Sequence, residues 1–98
     1  MKKEIFNKYV DRVCHILDMD EDTLFSRTKK RESVDGRLLL YYLCHKRDMN
    51  IVYIQKHMLN RGLNISRSSI YNGIDRAGRM ISGDKDYKKT IKDLQDGI

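Results

Sequence analysis

The chain has 98 residues, enough for one domain with one modest core. Lys plus Arg total 20 against 14 for Asp plus Glu, and the resulting charge of +6 suits a polyanionic partner, because basic surface gains by releasing phosphate counterions. No apolar run exceeds Leu38 to Cys44, too short to span a bilayer, and the charged pattern that follows Met1-Lys2-Lys3 argues against a secretory leader.

In chain order, Ile5, Phe6, Tyr9, Val10, Val13, Cys14 and Leu17 recur at helical spacing and predict an amphipathic first helix ending near Asp18. Asp20 is expected to cap a short acidic helix, with Met19 before it packing on Leu24. Glu21 and Asp22 suit the positive end of that helix dipole. Arg27-Thr28-Lys29-Lys30-Arg31 reads as a basic loop. A third helix is expected from about Ser33 to Arg47, and because Leu38 to Cys44 is apolar on every face it should be the buried centre.

Asn50 repeats the capping signal, with Met49 facing Ile54, and starts a short helix that turns Ile51, Ile54 and Met58 inward. Leu59 to Asn64 forms a turn in which Gly62 can take a left-handed conformation. Ser66 caps once more, with Ile65 facing Ile70, and opens a fifth helix from about Arg67 to Ile81. Ile70, Ile74, Ala77 and Ile81 form its apolar stripe; Ser68, Asn72, Asp75 and Arg79 lie opposite, flanked by Ser69, Arg76 and Tyr71. Gly73 beside the stripe lets a neighbouring helix come close. Ser82-Gly83-Asp84 ends this helix and starts a last one, with Tyr87, Ile91 and Leu94 on a common face. With no internal repeat, linker or low-complexity segment, the expectation is an all-α single-domain bundle of five to six helices containing a helix-turn-helix at about 50–81.

A helix-turn-helix reads the DNA major groove with the first residues of its second helix. Here those are Arg67, Ser68, Ser69 and, one turn on, Asn72, with Arg76 beyond. Arg can donate two hydrogen bonds to guanine, Asn can pair with the edge of adenine, and serines reach phosphates or bases. An ordinary solvated helix start would carry similar residues. The basic loop favours the DNA reading, since Arg27, Lys29, Lys30 and Arg31, followed by Arg37, supply phosphate or minor-groove contacts.

Residues from about Phe6 to Leu94 resemble the C-terminal, origin-binding domain of the bacterial replication initiator DnaA, a fold also described as Trp-repressor-like. The shared order is an amphipathic helix, an acidic helix ending in Leu24-Phe25-Ser26, a basic loop, and the helix Arg37-Leu38-Leu39-Leu40-Tyr41-Tyr42-Leu43, similar to the family's Arg-led stretch. A helix containing Ile54 follows, then Ser68-Ser69-Ile70, similar to the family's hydroxyl pair before a β-branched residue. The resemblance implies that Ser68 and Ser69 enter the major groove and that the loop and Arg37 lie on the backbone or in the minor groove. The family's Gly-Gly-Arg-Asp-His segment is replaced by Asn64-Ile65-Ser66-Arg67, the turn is about four residues longer, and Gln55 stands where the family has Gly, so a target other than the initiator box is expected. No phosphate-cradling loop ending in Lys-Ser or Lys-Thr occurs, which leaves a stand-alone cytoplasmic or nucleoid-associated regulator of transcription or replication, such as a phage or mobile element encodes.

Two Cys-His pairs, Cys14-His15 and Cys44-His45, raise a zinc site as a rival, but adjacent helical residues diverge by about 100° and do not chelate together easily. Reduced core cysteines are the simpler expectation. No constellation suggests an enzyme, a cofactor or a small-molecule substrate. The stronger rival is a helical module that binds an acidic partner protein. Most helix-turn-helix regulators pair, whereas the initiator domain reads as a monomer, so both oligomeric states stand open.

Overall fold

In the computed structural model, which describes residues 2–96, six helices follow one another: α1 (Lys2–Ile16), α2 (Glu21–Leu24), α3 (Arg31–Lys46), α4 (Ile51–Asn60), α5 (Arg67–Gly83) and α6 (Lys85–Gln95). No strand occurs among the described residues, so the architecture is an all-α bundle. α3 touches each of the other five helices. Its Leu39, Leu40, Leu43 and Cys44 are enclosed, as expected of a helix apolar on every side. Phe6, Val10 and Val13 of α1, Leu24 of α2, Ile54 and Met58 of α4, Ile70 of α5 and Leu94 of α6 close the same core. Each contributes about 1.5–3 kcal/mol relative to exposure.

The capping signals are realised as hydrogen bonds. Asp20 accepts from the Thr23 amide at 2.7 Å, Asn50 from the Val52 amide at 2.9 Å and Ser66 from the Ser69 amide at 3.1 Å. Asp84 ends α5 and caps α6, accepting from the Asp86 and Tyr87 amides. Boundaries shift by a few residues. α3 starts at Arg31 rather than Ser33, so the basic loop closes one residue early and Arg31 heads a helix.

Three helices end in the same type of corner. Asp18 (φ 52°), Asp48 (φ 61°) and Gly62 (φ 88°) are left-handed, and the amide of the next residue reaches back five positions: Met19 to Cys14, Met49 to Cys44 and Leu63 to Met58. In each case that next residue is apolar and turned inward. The first two corners share the pattern Cys-His-x-x-Asp-Met-Asx at 14–20 and 44–50, a short repeat that the expectation of no internal repeat overlooked. It gives the Cys-His pairs a structural account, since Cys14 and Cys44 supply the receiving carbonyls. Burial pushes the Cys14 thiol up to about 11 and the Cys44 thiol to about 12, which makes both poor nucleophiles.

α5 lies closely against α3. A Cβ at Gly73 would stand 2.9 Å from Leu38 Cδ2 and 2.9 Å from Tyr41 Cδ2, and the Tyr41 ring is itself buried. Helix propensity alone favours Ala over Gly by about 0.5–1 kcal/mol. Overpacking opposes this by about 1–3 kcal/mol. Gly73→Ala should therefore lower stability, read as a reduced urea midpoint at unchanged slope.

His57 of α4 is buried, its ring stacked on Phe6 with centroids 4.9 Å apart, and its Nε2 has no hydrogen-bond partner. Burial, with Lys56 and Lys3 adding to it, holds its pKa below the ordinary 6.5. The unfolded chain thus binds this proton more readily than the folded one. Stability is full above the unfolded value and falls as the pH drops below about 6.5 toward the folded pKa. Urea midpoints at pH 7.5 and pH 5.5 should differ for the wild type, and His57→Leu should shrink the part of the difference that His57 causes.

Candidate nucleic-acid interface

α4 and α5 pack on each other across the turn that joins them, and α5 presents its first residues to solvent. Ser66, Arg67, Ser68 and Ser69 are all exposed, and so are Asn72, Asp75, Arg76 and Arg79 further along. At about 100° per residue, Ser68, Asn72, Asp75 and Arg79 share one outward face of α5. Arg76 flanks it on one side and Tyr71, which is 59% exposed, on the other.

The two candidate hydroxyls are not equivalent. Ser69 is tied into the cap, its amide donating to the Ser66 oxygen and its own oxygen accepting from the Ser66 hydroxyl at 2.9 Å. The Ser68 side chain is exposed and makes no hydrogen bond among the described residues. Arg67 is steadied from α4, donating from Nε to Gln55 Oε1 at 3.2 Å, while Gln55 Nε2 donates to the Ile65 carbonyl at 3.0 Å. Gln55 therefore clamps the turn and aims Arg67 in one stroke. Asp75 brings a negative charge to the face, but Arg79 pairs with it at 3.2 Å.

The segment between α2 and α3 wraps around one cation. Arg37 donates to the carbonyls of Leu24 (3.0 Å), Ser26 (2.7 Å) and Thr28 (2.9 Å), three charge-assisted bonds from a half-buried guanidinium. The Thr28 hydroxyl accepts from the Lys30 amide at 3.1 Å. With Thr28 held inward, Arg27, Lys29 and Lys30 are left exposed. Arg37 thus gathers loop carbonyls that lack a helical partner within reach of its planar fork, and it also lines the hollow between this loop and the α4–α5 turn. Arg31 is exposed at the head of α3 and lies 3.7 Å from Asp35.

The loop and the turn between α4 and α5 meet. One shallow hollow is lined by Arg27, Thr28 and Lys29 on one side and by Leu63, Asn64 and Ile65, the residues leading into Ser66, on the other. Arg76 lies further along α5, near Tyr87 of α6; burial and Asp35 push the Tyr87 hydroxyl up to about 12, while Arg76 opposes the shift. The ten candidate residues therefore divide. Arg27, Lys29 and Arg37 line the hollow with the turn that leads into α5, and Lys30 faces a second hollow with Asp20, Asp22 and Thr23. Arg67, Ser68, Asn72 and Arg76 are exposed along α5, Ser69 is tied into its cap, and Arg31 is exposed at the head of α3.

Two positioning residues escaped the sequence reading. Gln55 is noted there only as a replacement for Gly. Arg61, within the turn, donates to Glu21 (2.9 Å) and Asn7 (2.7 Å) and lies over the Phe25 ring, which pins the turn to α1 and α2. Neither carries a local signal, since each acts on partners remote in sequence. No group of three or more His, Cys, Asp or Glu side chains is placed to hold a metal among the described residues.

Removal of the loop's central cation checks this account. Arg37→Ala should lower stability by about 1–3 kcal/mol, the range for losing bonds to a charged group. It should also speed amide exchange across residues 26–30, while Arg27→Ala should do neither. Comparisons with protein-family models, with curated proteins and with solved structures found no match.

Proposed function

We propose that this chain binds double-stranded DNA through its helix-turn-helix, as a small non-enzymatic regulator of transcription or replication similar in design to the origin-binding domain of DnaA. The observation that carries the reading is the shared hollow between the basic loop and the turn leading into α5. It brings Arg27 and Lys29 against Leu63, Asn64 and Ile65, the residues that lead into the exposed Ser66, Arg67 and Ser68, so groups suited to phosphate and groups suited to base edges stand on adjoining elements. In this reading Arg67 and Asn72 carry base recognition, Ser68 and Arg76 flank them, and the loop lysines hold the backbone. Gln55, Arg37 and Arg61 preorganise the surface, which limits the ordering cost of binding. No helix among the described residues is long and apolar enough to cross a membrane.

A second reading, a module for an acidic protein partner, draws on one observation. Val52, Tyr53 and Leu59 are exposed on the outer side of α4, with Lys2 lying 3.9 Å over the Tyr53 ring. Selection from random duplex DNA separates the two readings. Arg67→Ala and Asn72→Ala should each weaken binding to the selected site by about 1–3 kcal/mol and relax preference at one base position. Lys30→Ala should weaken binding to all sequences alike and reduce the salt slope by about 1. Binding that none of these variants alters, or no enrichment of any sequence, would give the second reading the field.

A further inference from the structure

The helix farthest along the chain carries a charge pattern that folding does not explain. Lys85, Lys88, Lys89 and Lys92 are all exposed on α6. At about 100° per residue they fall within an arc of about 100° on its outer side. None of the four makes an ion pair among the described residues. Their i,i+3 and i,i+4 spacing sets like charges side by side, which weakens a helix. Lys85 and Lys88 also lie near its N-terminal end, where the dipole disfavours cations. Asp84 caps the helix and Asp86 sits in its first turn, but neither carboxylate pairs with a lysine of the stripe.

A phosphate backbone answers this pattern better than the alternatives. Tyr87, Ile91 and Leu94 turn into the bundle, and none of the exposed large apolar residues lies on α6. The stripe therefore offers no apolar wedge for a bilayer and no desolvated centre for a protein partner. Lysine ammonium groups on flexible stems suit irregularly placed phosphates. The start of the stripe, at Lys85, is also remote from Ser68 at the proposed reading tip, although Arg76 further along α5 lies near Tyr87 of the same helix. Ser68 to Gly83 spans about 22 Å of continuous helix, in a molecule whose longest extent is 32 Å.

We propose that the lysine face of α6 docks the backbone of a second DNA duplex, so that one molecule holds two duplexes. This rests on the reading of α5 as the element that engages the first. The test uses the full chain in two arms. The first measures affinity for a short selected duplex; the second immobilises that duplex with protein bound and measures capture of a labelled duplex of unrelated sequence. The combined variant Lys85→Gln, Lys88→Gln, Lys89→Gln, Lys92→Gln should cut capture by about tenfold or more and flatten its salt dependence by about 3 to 4 in slope. First-arm affinity should stay within about twofold and the helical circular dichroism should be unchanged. The same four positions changed to Arg should retain capture.

Undiminished capture by the Gln variant overturns the proposal, as does a wild type that binds the selected duplex yet captures nothing. A parallel fall in both arms overturns it too, because the stripe would then lie on the flank of the first duplex. A wild type that binds no selected duplex removes the underlying reading itself, and this is seen in the first arm before the second duplex is added.

Discussion

The close approach of α5 to α3 at Gly73 decides which face of α5 is left for the proposed interface. The Leu38 and Tyr41 side chains occupy the space a side chain at residue 73 would need, so the backbone of α5 rests directly on these two side chains of the buried helix. Once that seat is set, the inward stripe of Ile70, Ala77 and Ile81 is committed to the core. The opposite side of the same helix then has nowhere to go but solvent. The exposure of Ser68, Asn72 and Arg76 is thus a consequence of packing behind them rather than of anything at the surface.

Charge is used in two distinct ways. Arg37 and Arg61 face inward and serve as fasteners, one gathering three carbonyls of the α2–α3 segment, the other joining the α4–α5 turn to α1 and α2. The remaining loop cations and the α6 lysines stay in water, where isolated ion pairs contribute little to stability and long side chains keep their freedom. A basic chain can thus satisfy its fold with a few guanidinium groups and leave the rest for an anionic partner. Arg suits the inward role because its planar fork serves several acceptors at once, and Lys the outward one because it acts as a mobile point charge.

Much of the helical layout was legible because helix starts and apolar stripes are local properties. Asp20, Asn50 and Ser66 announce their caps through their own side chains, and the corner at Gly62 follows from the absence of a Cβ. The corners at Asp18 and Asp48 were less visible, since a left-handed Asp looks like any other Asp until the amide after it is seen reaching back to Cys14 or Cys44. Arg37 shows the limit of such reasoning. Its sequence neighbourhood does not reveal that its side chain gathers carbonyls as many as thirteen residues away.

What the amino-acid order alone determined is an all-helical chain of five to six elements, their inward faces, the caps at Asp20, Asn50 and Ser66 and the basic character of the loop, because periodicity and capping depend only on neighbours in the chain. What tertiary structure alone decided is which polar groups remain available. Ser69 and Ser68 are adjacent and chemically identical, yet one is drawn into a cap and the other is left exposed. Loop cations and turn residues more than thirty positions apart share one hollow only because α3 holds both ends of the bundle in place. Such proximity arises from the simultaneous packing of all six helices, a cooperative outcome that no local stretch encodes.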